Sequence, residues 1–230
     1  MITINNNMYV LDTDNTSYAF AVLGSGQLEH LYYGRKLHAN EAVMTEKHTF
    51  IPGNTNVYNK DYSSYSLEDV CLEMSSLGKG DIREPFIEVT YPNGSSTTDM
   101  VFDRAEIIQG KEEYDTLPGS YDDNGEVEQL VIYLKDRNYN LTLELHYYVY
   151  EKCDIITRSA KLVNSGNESV RLERLMSMQL DLNESDYELS FFNGAWAREM
   201  NRSRIPIRAG KYVNESVTGT SSNRANPFFM

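Results

Sequence analysis

The strongest constraint on the fold is an alternation of apolar and polar side chains with a period of two. From Leu141 to Tyr150 nearly every second residue is apolar, and polar residues such as Glu144 and His146 stand between them. Successive side chains of a β-strand point to opposite faces, so this segment is expected to form a strand with one buried and one wet face. The same alternation predicts strands over 130–134 and 170–182.

Other segments combine apolar and aromatic residues with flanking turn sequences, which also favours strands. They span residues 18–23, 86–91, 155–163 and 187–192. Turns are indicated at 91–94, 122–125 and 164–167 by Asn, Asp and Gly residues that accept a positive φ. No segment has the pattern of a long amphipathic helix. The chain is therefore predicted to be all-β, with antiparallel sheets in one large domain over 1–230, because no linker composition divides it.

Charge and cysteine content exclude several function classes. Acidic residues outnumber basic ones 34 to 21, which gives a net charge of −13. This balance disfavours nucleic acid and anionic membranes as partners and leaves a neutral sugar or another protein. No apolar run approaches the roughly 18 residues that cross a bilayer. Two cysteines, Cys71 and Cys153, are too few for a disulfide scaffold, so a reducing cytoplasm is expected.

Motifs for catalysis, metal binding and cofactor binding are lacking, so no catalytic residue, metal or cofactor is expected. Residues 12–15 begin like a calcium loop, but Ser17 stands where the loop needs glycine. The acidic segment 122–128 is interpreted as a solvated hairpin end. All four histidines are expected to face solvent; they are His30, His38, His48 and His146. The irregular segment 40–65 is interpreted as a functional or interface loop, or as a surface excursion without a role.

Trp196 is the single tryptophan and the only candidate for substrate binding. A flat aromatic ring can stack on the face of a sugar. Packing or an interface is the commoner role of such a residue, and that interpretation is favoured here.

Six stretches in order along the chain resemble the amino-terminal domain of glycoside hydrolase family 36 α-galactosidases. The early ones are Gly26-Gln27-Leu28 with Tyr33-Gly34-Arg35-Lys36-Leu37, then Gly78-Lys79-Gly80-Asp81-Ile82-Arg83-Glu84-Pro85, then Ile108-Gln109-Gly110-Lys111 with Leu117-Pro118-Gly119-Ser120-Tyr121. The later ones are Asp154-Ile155-Ile156-Thr157-Arg158-Ser159, Gly194-Ala195-Trp196-Ala197-Arg198-Glu199, and Gly219-Thr220-Ser221-Ser222 followed by Asn226-Pro227-Phe228. One departure is Asn223, which stands where the family has histidine.

The resemblance implies a β-supersandwich similar to that of galactose mutarotases. It also implies a parent enzyme, a retaining α-galactosidase for melibiose-type and raffinose-type sugars, whose catalytic (β/α)8 barrel follows this domain and is absent from the chain. Because the chain stops at Phe229-Met230 inside an apparent strand start, it is expected to lack the last strands of its own sandwich. By the same resemblance the domain is expected to promote a homo-oligomer, often a tetramer, and to lend a loop to a neighbouring active site.

Two alternatives remain open. The chain could be a free-standing carbohydrate-binding β-sandwich, in which Trp196 would report sugar binding. It could also be a protein–protein interface module without sugar contact, which the aromatic content favours.

Overall fold

The computed structural model describes residues 1–38, 57–63, 66–114, 116–182, 186–218 and 224–230. Helical structure in these ranges is limited to the short 3-10 turns Lys60–Tyr62, Leu67–Asp69 and Glu151–Cys153. All named strand pairs are antiparallel, so the prediction of an all-β, antiparallel fold is confirmed. The strands are β1 (Ile2–Asn5), β2 (Met8–Asp12), β3 (Thr16–Val22), β4 (Leu28–Arg35), β5 (Ile87–Thr90), β6 (Met100–Gln109), β7 (Glu128–Asp136), β8 (Leu141–Tyr150), β9 (Ile155–Asn164), β10 (Arg171–Leu175), β11 (Glu188–Ala195), β12 (Arg198–Pro206) and β13 (Arg224–Phe229).

The chain forms two compact units, Met1–Asp181 and Leu182–Met230. The first unit contains two four-stranded sheets, ordered β1-β2-β3-β4 and β6-β7-β8-β9, and the two-stranded pair β10-β5. Neighbours in each four-stranded sheet are consecutive along the chain. A long connection between Gln109 and Glu128 joins β6 to β7, and short turns join the other neighbours.

One hydrophobic core joins the two four-stranded sheets of the first unit. The ring of Phe20 on β3 stacks between Tyr9 on β2 and Tyr147 on β8, with centroid distances of 5.1 and 5.2 Å. All three side chains are buried, together with the apolar residues that alternate along β7 and β8. The period-two pattern read from the sequence therefore marks the inner face of a sandwich.

Gly26 connects the turn between β3 and β4 to the opposite sheet. Its carbonyl accepts a hydrogen bond of 2.8 Å from the backbone N–H of Phe102 on β6. The residue has a φ of +99°, and a Cβ built on it would lie 2.9 Å from the Cβ of Val101. Both the backbone conformation and the close approach require glycine here.

The second unit is a three-stranded sheet ordered β12-β11-β13. Phe192 on β11 stacks on Phe228 on β13 with a centroid distance of 4.7 Å, and Phe191 packs against Tyr212 at 4.8 Å. The apparent strand start at the end of the chain is part of β13, which ends at Phe229.

The structure differs from the sequence expectations in two strands. The strand predicted over 170–182 covers only Arg171–Leu175 and contains a bulge between Leu172 and Arg174. Beyond it, Gln179 accepts a hydrogen bond from Ser75, and Asp181 accepts one from the backbone N–H of Leu72. Gln179 and Asp181 therefore bridge to another segment, whereas Arg171, Glu173 and Ser177 are exposed as the alternation predicts.

The expected wet face of β8 is partly covered. Tyr148 is only 2% exposed, because the hydroxyl of Tyr114, from the connection between β6 and β7, lies 2.7 Å from the hydroxyl of Tyr148. Of the irregular segment 40–65, residues 40–56, 64 and 65 lie outside the described ranges. Within it, Asn59 caps the 3-10 turn Lys60–Tyr62.

We expect Gly26→Ala to destabilise the chain more than Gly94→Ala. Both glycines have a positive φ, which costs about 1–2 kcal/mol for a residue with a Cβ. No atom lies within 4 Å of a Cβ at Gly94, whereas Gly26 would meet Val101. Overpacking adds about 1–3 kcal/mol at Gly26. Urea denaturation of both variants measures the difference, and equal losses would contradict the close packing.

Candidate functional site

A group of titratable side chains surrounds Glu73, in the connection that precedes β5. Its carboxylate accepts hydrogen bonds from the hydroxyls of Tyr18 at 2.7 and 2.8 Å and of Tyr147 at 2.8 Å. His30 Nδ1 lies 2.8 Å from Oε1, and the Arg158 guanidinium lies 3.2 Å from Oε2. These partners come from β3, β8, β4 and β9, so the cluster ties together both large sheets.

Burial and charge pairing oppose each other at Glu73. Burial alone would raise its pKa, but the charge of Arg158 and the hydrogen bond from His30 outweigh burial and hold the pKa below its usual value. Burial raises the pKa of the Tyr18 and Tyr147 hydroxyls well above the ordinary range, so both remain neutral donors. The Glu73 side chain is 0% exposed. Because no substrate reaches it, we assign the cluster a structural role.

Residues of the family-like motifs serve as connectors between segments. In the stretch that starts at Asp154, Arg158 belongs to the Glu73 cluster. The Asp154 carboxylate accepts hydrogen bonds from Thr13 Oγ1 at 2.8 Å and from the backbone N–H and the side-chain amide of Asn15 at 2.8 and 2.7 Å. These hydrogen bonds lower the pKa of Asp154, those from Asn15 most. Thr13 and Asn15 belong to the segment that resembles a calcium loop, so this segment donates hydrogen bonds to the Asp154 carboxylate.

Arg83 plays the same part in the stretch 78–85. Its guanidinium donates to the carbonyls of Val70 at 2.7 Å and Leu67 at 2.6 Å, and it pairs with Asp81 at 3.0 Å. A further ion pair joins Arg83 to Asp181. The arginine therefore fixes the path of residues 67–83 against the end of the first unit.

Trp196 lies at the tip of the hairpin between β11 and β12, where Ala195 pairs with Arg198. Ala197 has a φ of +59°, and its backbone N–H donates to Glu199 Oε1 at 3.0 Å. This tight turn projects the indole outward, and Trp196 is 93% exposed. Among the described residues of its own unit, Trp196 is therefore not packed.

The expectation that the histidines face solvent is wrong for His30, which is 4% exposed against Glu73. His38 is exposed, and His48 lies outside the described ranges. His146 is half-buried: Nδ1 lies 2.9 Å from Gln129 Nε2, and Nε2 lies 3.3 Å from Glu144 Oε2. Burial lowers the pKa of His146 more than Glu144 raises it, which favours the neutral ring. The sequence places His146 on the polar face of a strand, and this pattern does not predict its partial burial.

In the described ranges no three His, Cys, Asp or Glu side chains are arranged to hold a metal ion. In the acidic segment 122–128, Asp122 accepts from the backbone N–H of Glu126 at 2.9 Å, and Lys152 pairs with Glu126 at 2.9 Å. The family-like residues 219–222 and the departure at Asn223 lie outside the described ranges.

Solved structures of glycoside hydrolases contain this fold. The chain superimposes on α-galactosidase AgaB from Geobacillus stearothermophilus with a TM-score of 0.90 at 31% identity, covering 100% of this chain and 31% of that one. The α-galactosidase from Lactobacillus brevis matches with a TM-score of 0.89 at 34% identity, over 98% of this chain and 31% of that one. These identities and TM-scores define a β-domain that occurs in α-galactosidases.

The model for the glycosyl hydrolase family 36 N-terminal domain matches residues 26–230. Among curated relatives, α-galactosidase AgaA from Geobacillus stearothermophilus is 35% identical over 224 residues, 95% of this chain and 30% of that protein. The bifunctional α-galactosidase/sucrose kinase AgaSK from Mediterraneibacter gnavus is 33% identical over 97% of this chain and 24% of its own length. The chain belongs to the glycosyl hydrolase family 36 N-terminal domain family. It spans less than a third of these relatives.

We expect Glu73→Gln to lower the free energy of unfolding by about 3–5 kcal/mol, because it leaves the buried charge of Arg158 without its counter-ion. Glu173→Gln is the matched control, since it removes a carboxylate from the exposed pair with Arg171. Urea denaturation should show a much smaller loss for the control. Similar losses for the two variants would contradict the structural role of Glu73.

The difference between wild type and Glu73→Gln should also depend on pH. Because the folded pKa of Glu73 is lowered, its contribution is complete above the unfolded value of about 4.3 and is lost as pH falls through the folded pKa. The difference in free energy of unfolding, measured from neutral pH down to about 3, should therefore narrow once the pH falls below the unfolded value. A constant difference across this range would contradict the assignment of charge to Glu73.

Proposed function

We propose that the chain is the non-catalytic amino-terminal domain of a retaining α-galactosidase that releases terminal α-galactosyl residues from melibiose-type and raffinose-type oligosaccharides. The observation that carries this proposal is the match to proteins named α-galactosidase over at least 95% of the chain. A similar structure, a variant of AgaA from Geobacillus stearothermophilus, is described in complex with raffinose, and another with stachyose. These complexes support the substrate class. A (β/α)8 barrel following this domain would supply the chemistry.

The buried carboxylates already have hydrogen-bond and ion-pair partners within the domain, which supports a catalytic centre outside this domain. Glycoside hydrolysis uses two carboxyl groups that flank the scissile bond within reach of substrate. Asp99 accepts from the Tyr58 hydroxyl at 2.8 Å and pairs with Lys79 at 3.2 Å. Asp136 accepts from the backbone N–H of Asp99 at 2.8 Å. Like Glu73, these groups are engaged in holding the fold.

Exposed apolar side chains in the second unit support a role in assembly. Several are more than half exposed, and a partner subunit that covered them would remove apolar surface from water. They are Trp196, Met200, Ile207, Val213, Val217 and Phe229. Within this proposal the domain contributes to a homo-oligomer, a homotetramer by family resemblance. The Trp196 hairpin is proposed to form part of the rim of a neighbouring active site, where the indole stacks on sugar.

A cytoplasmic location completes the proposal. The chain has two cysteines, too few for a disulfide scaffold, which agrees with a reducing compartment. In the described residues no helix has the length and apolar character needed to span a membrane.

The full-length protein should hydrolyse a chromogenic α-galactoside, and the 230-residue chain should show no turnover. The reason is that both catalytic carboxylates are placed beyond this domain. Purified proteins are assayed side by side. A full-length protein no faster than buffer would overturn the α-galactosidase proposal, and turnover by the chain alone would overturn its non-catalytic role.

Trp196→Ala in the full-length enzyme should raise KM for raffinose about two- to tenfold, the value of one lost aromatic contact, while kcat stays near wild type. Trp196→Phe should recover most of the loss because it keeps a flat ring. Met178→Ala, an exposed apolar change in the first unit and outside the proposed assembly surface, is the control. Light scattering on each variant separates an altered oligomer from altered sugar contact. An unchanged KM in a Trp196→Ala variant whose oligomer is intact would contradict the placement of Trp196 at the rim.

The second candidate function is free-standing carbohydrate binding, which the 93% exposure of Trp196 favours. Titration of the chain with galactose and raffinose should then change Trp196 fluorescence. A flat titration would dismiss this candidate.

A further inference from the structure

Three Asn-Gly pairs occur in the chain, and the same spontaneous modification is open to each by its chemistry. They are Asn93-Gly94, Asn124-Gly125 and Asn193-Gly194. Asparagine is a thermolabile residue, and a glycine after it leaves the next backbone nitrogen accessible because glycine has no Cβ. Since the residue after the asparagine is the same in all three pairs, the fold decides which of them reacts first.

The side chain of each asparagine can react with the backbone nitrogen of the glycine that follows it. The nitrogen loses its proton and attacks the side-chain Cγ, a new C–N bond closes a succinimide ring, and the bond from Cγ to Nδ2 breaks as ammonia leaves. Water then opens the ring at one of its two carbonyls and gives aspartate or isoaspartate. Nothing is oxidised or reduced. Hydrogen bonds to the glycine N–H or to the asparagine amide oppose ring closure, because they have to break first.

The first pair is held by hydrogen bonds at all three groups. Asn93 Oδ1 accepts from the backbone N–H of Ser95 at 3.0 Å, and Asn93 Nδ2 donates to the Tyr139 hydroxyl at 3.2 Å. The N–H of Gly94 donates to the carbonyl of Tyr91 at 2.9 Å. This turn therefore keeps the asparagine amide away from the glycine nitrogen.

The third pair is held by the sheet of the second unit. Asn193 lies in β11, the central strand, where it pairs with Asn201 on β12 and with Ala225 on β13. Gly194 pairs with Arg224 on β13. Ring closure folds the side chain back onto the following nitrogen, so this segment would first have to leave its extended conformation.

The second pair is the one that the fold leaves free. Asn124 is exposed in the connection between β6 and β7, and among the described residues no hydrogen bond engages its side chain or the N–H of Gly125. Gly125 has a φ of +64°, and no atom lies within 4 Å of a Cβ built on it, so the space beside its nitrogen is open. The flanks are fixed: Asp122 accepts from the backbone N–H of Glu126 at 2.9 Å, and the Gly125 carbonyl accepts from Gln109 at 2.8 Å.

We propose that Asn124 is a site of spontaneous deamidation, with water as the co-reactant, and that it converts before the other two Asn-Gly pairs in the folded chain. The product adds a carboxylate to the segment 122–128, which already has four acidic residues. The isoaspartate product also lengthens the backbone by a methylene group inside the turn that Asp122 holds. The modification does not depend on the activity of the parent enzyme.

Peptide mapping by mass spectrometry, after incubation of the folded 230-residue chain in mildly alkaline buffer, tests the site directly. We expect Asn124 to convert to aspartate and isoaspartate at least about tenfold faster than Asn93, where three hydrogen bonds have to break first. Asn193 should also convert more slowly than Asn124. Conversion of Asn93 or Asn193 as fast as Asn124 would overturn the proposal.

The same incubation in guanidinium chloride, which unfolds the chain, is the matched control. Without the fold, the rates at Asn93, Asn124 and Asn193 should approach one another, because each asparagine precedes a glycine. If the preference for Asn124 is as large in the unfolded chain as in the folded one, local sequence sets the rate and the structural argument fails.

Asn124→Gln should abolish the first acidic species that ion-exchange chromatography detects, because glutamine has to close a larger ring. Asn93→Gln alters another Asn-Gly turn and should leave that species unchanged. Near-ultraviolet dichroism confirms that both variants fold. If Asn93→Gln does not fold, the peptide map of the wild type decides. Persistence of the early acidic species in folded Asn124→Gln would contradict the assignment to Asn124.

Discussion

The carboxylate of Glu73 is the constraint on which the larger unit depends. Moving an ionised carboxylate out of water costs several kcal/mol unless a counter-charge and hydrogen bonds replace the lost solvent. Four side chains from four different strands supply that replacement. The sandwich can therefore close only when these strands reach their native positions together, and a slip in one of them would leave a buried charge without a partner. The stacked rings of Tyr9, Phe20 and Tyr147 then fill the apolar space beside the cluster.

The need to keep polar groups paired also explains why the family resemblance is visible in the sequence. Arg158 and Asp154 hold distant segments together, and Arg83 fixes a long connection through two backbone carbonyls. Residues with several partners at once are hard to replace singly, because each loss leaves a polar group unsatisfied. The motifs that mark this family therefore report how the domain is held together, and their presence does not by itself indicate a catalytic role.

The local sequence pattern predicted many of the strands but few of the side-chain contacts described above. The strands β3, β5, β7, β8, β9 and β11 follow from the alternation of side chains and from turn residues, with shifts of a few residues at their ends. The Glu73 cluster was not predictable, because its members are separated by up to 140 residues and no local pattern distinguishes them. The burial of Gln129 and Tyr148 was not predictable either, because it depends on a connection that folds back over the sheet. Trp196 was identified by its chemistry, but its place at a hairpin tip depends on a positive φ at Ala197 that alanine does not signal.

The position of Trp196 also has a consequence for spectroscopy. The single indole is solvated in the folded chain, so its emission will change little when the sandwich melts. The 17 tyrosines include several in the core, and their near-ultraviolet dichroism will follow the loss of packing. Disagreement between the two optical signals would ordinarily be taken as a sign of an intermediate. In this protein it would reflect only where the chromophores are.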